Sequence, residues 1–137
     1  MKRIIVSGSS GFIGKNLLTD LCKKNIVYAL LRKSEKNLKI AKNYSKKFHL
    51  YRPIFFTNFN DLRRKFRKIK PNFAINLATN YINPHKFSEI KEIINSNILF
   101  GSIFVDLCCQ CKIKVFLNFC SVMQIYKGRK DNPENFY

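Results

Sequence analysis

The feature that most constrains this chain is where its first three glycines fall. Arg3-Ile4-Ile5-Val6-Ser7 is a short apolar run, and Gly8, Gly11 and Gly14 follow it at once. From there the apolar residues recur at Ile13, Leu17, Leu18 and Leu21, the spacing of one helix face. A strand, a tight turn and an amphipathic helix are therefore predicted within the first 24 residues. The opening turn of such a helix presents unpaired N–H groups and the positive end of the helix dipole. In Gly8-Ser9-Ser10-Gly11-Phe12-Ile13-Gly14, Gly8 permits the bend, Gly11 lets backbone approach a phosphate, and Gly14 lets the helix pack close to the strand. The spacing is GxxGxxG, and its place between strand and helix is the context a dinucleotide-binding turn requires. Ser10, Phe12 and Ile13 belong to the same candidate binding turn.

The rest of the chain repeats the alternation. Strands are predicted at Ile26–Leu31, within Leu50–Thr57 (where Pro53 leaves the start open), at Phe73–Ala78 and at Val115–Phe119. Between them lie a polar helix or loop over 34–47, a basic amphipathic helix over Phe59–Ile69 stopped by Pro71, and a long helix over Phe87–Cys111. Strands separated by helices pair in parallel through right-handed crossovers. The expected fold is α/β, a Rossmann-like doubly wound parallel sheet, incomplete at about five strands, in one NAD(P)-binding domain over residues 1–137.

Composition bounds the alternatives. The chain is 46% hydrophobic, which argues against wholesale disorder. Its net charge of +18 raises the possibility of a polyanion partner, but the lysines are scattered, as in chains encoded by AT-rich genomes. No nucleic-acid partner is expected; a positive field that favours phosphate-bearing small ligands is. The five cysteines, Cys22, Cys108, Cys109, Cys111 and Cys120, follow no secretion signal and read as reduced thiols of a cytoplasmic protein. Cys108, Cys109 and Cys111 share one predicted helix with neither a second pair nor a histidine nearby, so no metal site is expected. The longest apolar stretch, 93–109, is interrupted by Asn95, Asn97 and Asp106, so no membrane association is expected.

In a doubly wound sheet the ligand lies beyond the carboxyl ends of the strands. After the second strand come Arg32 and Lys33, with no acid at the usual place for binding ribose hydroxyls. Two cations there would pair with a 2′-phosphate, so NADP is favoured over NAD.

The strand-end residues together resemble the extended short-chain dehydrogenase/reductases, also called the NAD-dependent epimerase/dehydratase family, which act on nucleotide-linked sugars. Leu77-Ala78-Thr79 is similar to the family's HLA(A/T) element beside the nicotinamide ribose, with Asn76 where histidine is usual. Asn97 is similar to the asparagine of its active-site helix. It falls among Ile93, Ile94, Ile98 and Phe104, where a polar side chain is expected to be buried for a reason. Phe116-Leu117-Asn118-Phe119-Cys120-Ser121 resembles a stretch of the nucleotide-sugar 4-reductases and epimerases, which puts Ser121 at the catalytic Ser/Thr position. Asn132-Pro133-Glu134-Asn135-Phe136-Tyr137 then puts Tyr137 on the tyrosine of YxxxK. A register anchored on Tyr126-Lys127-Gly128 would put Val122 at the Ser/Thr position instead; the first register also accounts for the tail.

The resemblance implies a tyrosine that moves a proton at the sugar oxygen, a Ser/Thr that hydrogen-bonds that oxygen, and hydride transfer with the nicotinamide. It covers about the N-terminal half of a member of usual length. The lysine of YxxxK and the C-terminal substrate domain are not in the sequence, so a truncated member, inactive alone, is expected. A family homodimer is possible on the same ground, with an incomplete interface. Two other readings stand beside this one: a non-catalytic NAD(P)-binding regulatory domain, and a basic nucleic-acid-binding protein.

Overall fold

A computed structural model describes residues 1–119 of the 137-residue chain. Five strands alternate with helices: β1 (Arg3–Ser7), α1 (Phe12–Lys24), β2 (Ile26–Arg32), α2 (Glu35–Lys47), β3 (Tyr51–Phe56), α3 (Phe59–Ile69), β4 (Phe73–Asn76), α4 (Ile90–Ile94), α5 (Phe100–Gln110) and β5 (Val115–Asn118). All pairings are parallel, in the order β3-β2-β1-β4-β5. The expected Rossmann-like sheet is present. The chain builds outward from β1 through β2 to β3, then crosses back to lay β4 on the other side of β1. That reversal opens a crevice at the carboxyl ends of β1 and β4.

Alternation along β1 sets both cores. Ile4 and Val6 face α1 and α2, where Leu18, Cys22, Val27, Ala29, Tyr51 and Ile75 join them. Ile5 faces α3 and α5 and meets Leu30, Leu62, Phe66, Ala74 and Phe104. Phe66 and Phe104 meet edge to face at 5.6 Å and both are fully buried. Burial of each such ring contributes about 1.5–3 kcal/mol.

The segment over 34–47, open between helix and loop in the sequence, is a helix. Ser34 Oγ caps it by accepting from Asn37 N at 3.2 Å. Pro53 lies inside β3, which is tolerated because β3 is an edge strand. The fourth strand stops at Asn76, two residues before the expected Ala78. The long helix runs from Phe87 to Gln110 as predicted, but in pieces: a 3-10 turn at Phe87–Glu89, α4, a π-helical turn at Asn95–Leu99, and α5. By length and composition this run meets the criterion for a membrane span, which the three polar residues within it had argued against. Its C-terminal half is core: Phe104, Leu107 and Cys108 are buried against the sheet.

Candidate functional site

At the carboxyl ends of the strands lies a cleft of about 1000 Å³. The glycine turn forms its floor. Gly8 has φ +69, and a Cβ there would sit 2.5 Å from the carbonyl carbon of Leu77. Only glycine combines that dihedral with that contact. The contact also explains why β4 ends early, since Leu77 N still bonds to Ser7 O at 3.2 Å while the chain turns against Gly8. A Cβ on Gly14 would lie 2.5 Å from Ser9 Cα, so glycine there lets α1 seat on the turn. Gly11 differs: a Cβ would meet only Gly8 O, at 3.3 Å, and otherwise point into open space.

Gly11 is also the N-cap of α1. No side chain caps that helix, and its first turn holds no acid. The free N–H groups and the positive dipole end are left for a ligand. By contrast, the starts of α2 and α3 are capped by Ser34 and Asn58.

Ten of the sequence-predicted binding residues line the cleft together: Gly8, Gly11, Phe12, Ile13, Gly14, Arg32, Lys33, Leu77, Ala78 and Thr79. Ser10 and Asn97 are not among its lining residues. Arg32 ends β2 and is exposed, as is Lys33. Their turn is held by Asn37 Nδ2, which donates to Arg32 O at 2.7 Å. No carboxylate is among the described residues of the lining; Glu35, the nearest acid in sequence, begins α2 outside it.

Asn97 is exposed rather than buried among the isoleucines, and its role lies in a loop. Its Oδ1 accepts from Asn80 N at 2.6 Å, and its Nδ2 donates to Asn80 O at 3.0 Å. The side chain thus satisfies both backbone groups of one residue and ties the loop after β4 to the long helix. The π-helical turn that carries Asn97 also puts Asn95, Ser96 and Leu99 at the cleft wall.

Beneath the site, Ser7, Asn76 and Asn118 are register partners at the ends of β1, β4 and β5. Ser7 Oγ donates to Asn76 Oδ1, and Asn76 Nδ2 donates to Asn118 Oδ1 at 2.9 Å. Ser7 and Asn76 are buried, so this bridge fastens the crevice floor across three strands.

Sequence reasoning missed the β3 side. Phe56, Thr57, Asn58, Phe59 and Phe100 also line the cleft, with the Phe56 and Phe100 rings stacked at 6.1 Å. The rule of reading residues just after each strand would have found Thr57 to Phe59; Phe100, from a distant helix, carried no such signal. Ser121, Tyr137, Val122 and Cys120 lie outside the described residues. Cys108, Cys109 and Cys111 do not converge: the first is buried, the second exposed and the third half-buried.

Comparison with known proteins places this geometry. The family model described as NAD dependent epimerase/dehydratase family matches residues 4–136. CDP-abequose synthase of Salmonella typhimurium is 29% identical over 119 residues, covering 84% of this chain and 36% of that protein. UDP-glucose-4-epimerase from Stenotrophomonas maltophila, solved with bound NAD and formylated UDP-arabinopyranose, superposes with a TM-score of 0.75 at 12% identity, covering 98% of this chain and 40% of that one. Yeast methylglyoxal/isovaleraldehyde reductase Gre2, complexed with NADPH, gives 0.70 at 14% identity, covering 85% and 36%. The chain therefore spans well under half the length of each of these relatives.

Proposed function

The chain belongs to the NAD dependent epimerase/dehydratase family, and from that premise we propose that it is the cofactor-binding part of a nucleotide-sugar epimerase or reductase that prefers NADP to NAD. One observation carries the preference: Arg32 and Lys33 line the same cleft as the glycine turn, and no carboxylate is among its described lining residues. Ribose hydroxyls are held by an acceptor, whereas a 2′-phosphate is held by cations, the forked guanidinium above all.

The residues present fit such a cofactor. The α1 N-terminus, uncapped and open at Gly11, would hold the pyrophosphate. Phe56, Phe59 and Phe100 offer an apolar wall for a flat base. Leu77, Ala78 and Thr79, fixed through Asn80 by Asn97, flank the other half of the cleft. When bound, the nicotinamide supplies a hydride donor or acceptor. Ser121 is assigned to hydrogen-bonding the reacting sugar oxygen and Tyr137 to moving its proton. The likeness to CDP-abequose synthase supports a nucleotide-linked sugar as substrate. The same proposal places the protein in the cytoplasm, where Cys22, Cys108, Cys109 and Cys111 would stay free thiols.

Calorimetric titration with NADPH and NADH tests the reading. NADPH is expected to bind more tightly. Loss of a charge-assisted hydrogen bond costs about 1.5–3 kcal/mol. Arg32→Ser with Lys33→Ser should therefore weaken NADPH roughly 10- to 100-fold and leave NADH within about threefold. Equal affinity for the two cofactors would remove the NADP preference, and saturation by neither would remove the cofactor site.

A further inference from the structure

A second pocket opens at the other end of the sheet, where β1, β4 and β5 begin, and five of its nine lining residues are cations: Arg3, Arg67, Lys70, Lys112 and Lys114. None of the nine is acidic. From this pocket we infer a binding site for a small anion carrying two or more phosphate groups, separate from the cofactor cleft.

Part of this charge has an ordinary explanation. α3 ends at Ile69 and α5 at Gln110, both beside the pocket, and cations stabilise helix C-termini. But each helix end is worth only about half a negative charge. Two ends offset roughly one of the five cations and leave about four in one concavity. Arg67, Lys70, Lys112 and Lys114 are exposed, so water screens part of their mutual repulsion, and a bound anion would lower it further.

The frame is built rather than loose. Asn72 joins the starting ends of three strands: its N–H donates to Arg3 O at 2.8 Å, its Oδ1 accepts from Arg3 N at 3.0 Å, and its carbonyl accepts from Lys114 N at 3.2 Å. Arg67 Nη2 is held by Gln110 Oε1 at 3.1 Å. Arg3 Nε is buried with no hydrogen-bond partner, a donor left without an acceptor beside the pocket. Lys70 and Lys112 add an independent sign. Both adopt the left-handed conformation, with φ of 48 and 51, just past the ends of α3 and α5. Glycine takes that conformation without strain and is the usual residue at such an end. Lysine stands there twice, each time at the rim of the same pocket.

Pyrophosphate is the probe, titrated into the full chain at low salt. Backbone amide shifts report the location. Binding should perturb Arg3, Asn72 and Lys112 and weaken as salt rises. Lys112→Gln with Lys114→Gln should lower the affinity read at those amides about tenfold with the thermal midpoint unchanged. Unchanged affinity in the lysine pair would overturn the assignment. So would shifts confined to Gly8–Gly14, no binding at millimolar pyrophosphate, or binding of duplex DNA without binding of pyrophosphate.

Discussion

The three glycines of the turn are predicted to fail in three different ways when each is changed to alanine. At Gly8 the new Cβ meets the Leu77 carbonyl carbon at 2.5 Å, on a backbone with φ +69. Left-handed strain costs about 1–2 kcal/mol, and overpacking adds about 1–3 kcal/mol, so roughly 2–5 kcal/mol is expected. At Gly14 the clash with Ser9 Cα is as close, at 2.5 Å, but φ is ordinary. There three backbone atoms lie within 2.7 Å, which puts the overpacking cost at the upper end, about 3 kcal/mol; alanine's better helix propensity returns about 1 kcal/mol, leaving a net loss of about 2 kcal/mol. At Gly11 the single contact is 3.3 Å, and the cost should stay below about 1 kcal/mol. The order for cofactor binding is different. A methyl on Gly11 projects into the space a pyrophosphate would fill, so Gly11→Ala should fold normally and lose NADPH affinity at least about tenfold, or 1.4 kcal/mol. Urea unfolding followed by circular dichroism gives the stabilities, and calorimetry gives the affinities. A Gly11→Ala variant as destabilised as Gly8→Ala would contradict these roles. So would a neutral Gly14→Ala, or a Gly11→Ala that binds NADPH as the parent does.

Two further perturbations follow from buried groups. Asn76→Ala removes the bridge between Ser7 and Asn118 and strands a buried hydroxyl; a loss of about 1–3 kcal/mol is expected in urea unfolding, and an unchanged midpoint would show that the bridge does not hold the floor. Burial pushes the Cys22 thiol up to about 11 and the Cys108 thiol up to about 12, whereas Cys109 is exposed. Iodoacetamide at pH 8 should then label Cys109 well before Cys22 and Cys108, read by peptide mass mapping. Because both thiols hold their protons longer folded than unfolded, their contribution to stability is complete below pH 9 and is lost as pH rises from there toward 11 and 12. A stability that is flat or rising over that range would contradict it.

The alternation of strands and helices was legible because it is local. Apolar period and glycine placement are fixed by steric rules within a few residues, and β1, α1 and α3 fall within a residue or so of where those rules put them. The resemblance to the epimerase/dehydratase family also rested on short motifs, and the family match over 4–136 confirms it. Asn97 shows the limit. Its isoleucine neighbours implied burial, yet Ile94 and Ile98 are themselves 47% and 62% exposed, because the helix buries its C-terminal half and not this one.

Local sequence specified the turn: closely spaced glycines after a strand that open an amphipathic helix. Its surroundings come from residues far apart in the chain. Ser7 reaches Asn76 across 69 positions, and Asn76 reaches Asn118 across 42. Phe100 completes the cleft wall, and five cations gather at the far end of the sheet. Such contacts depend on the order in which strands are laid side by side. That order is set by the burial of two faces at once, a property of the whole sheet that no short stretch of sequence contains.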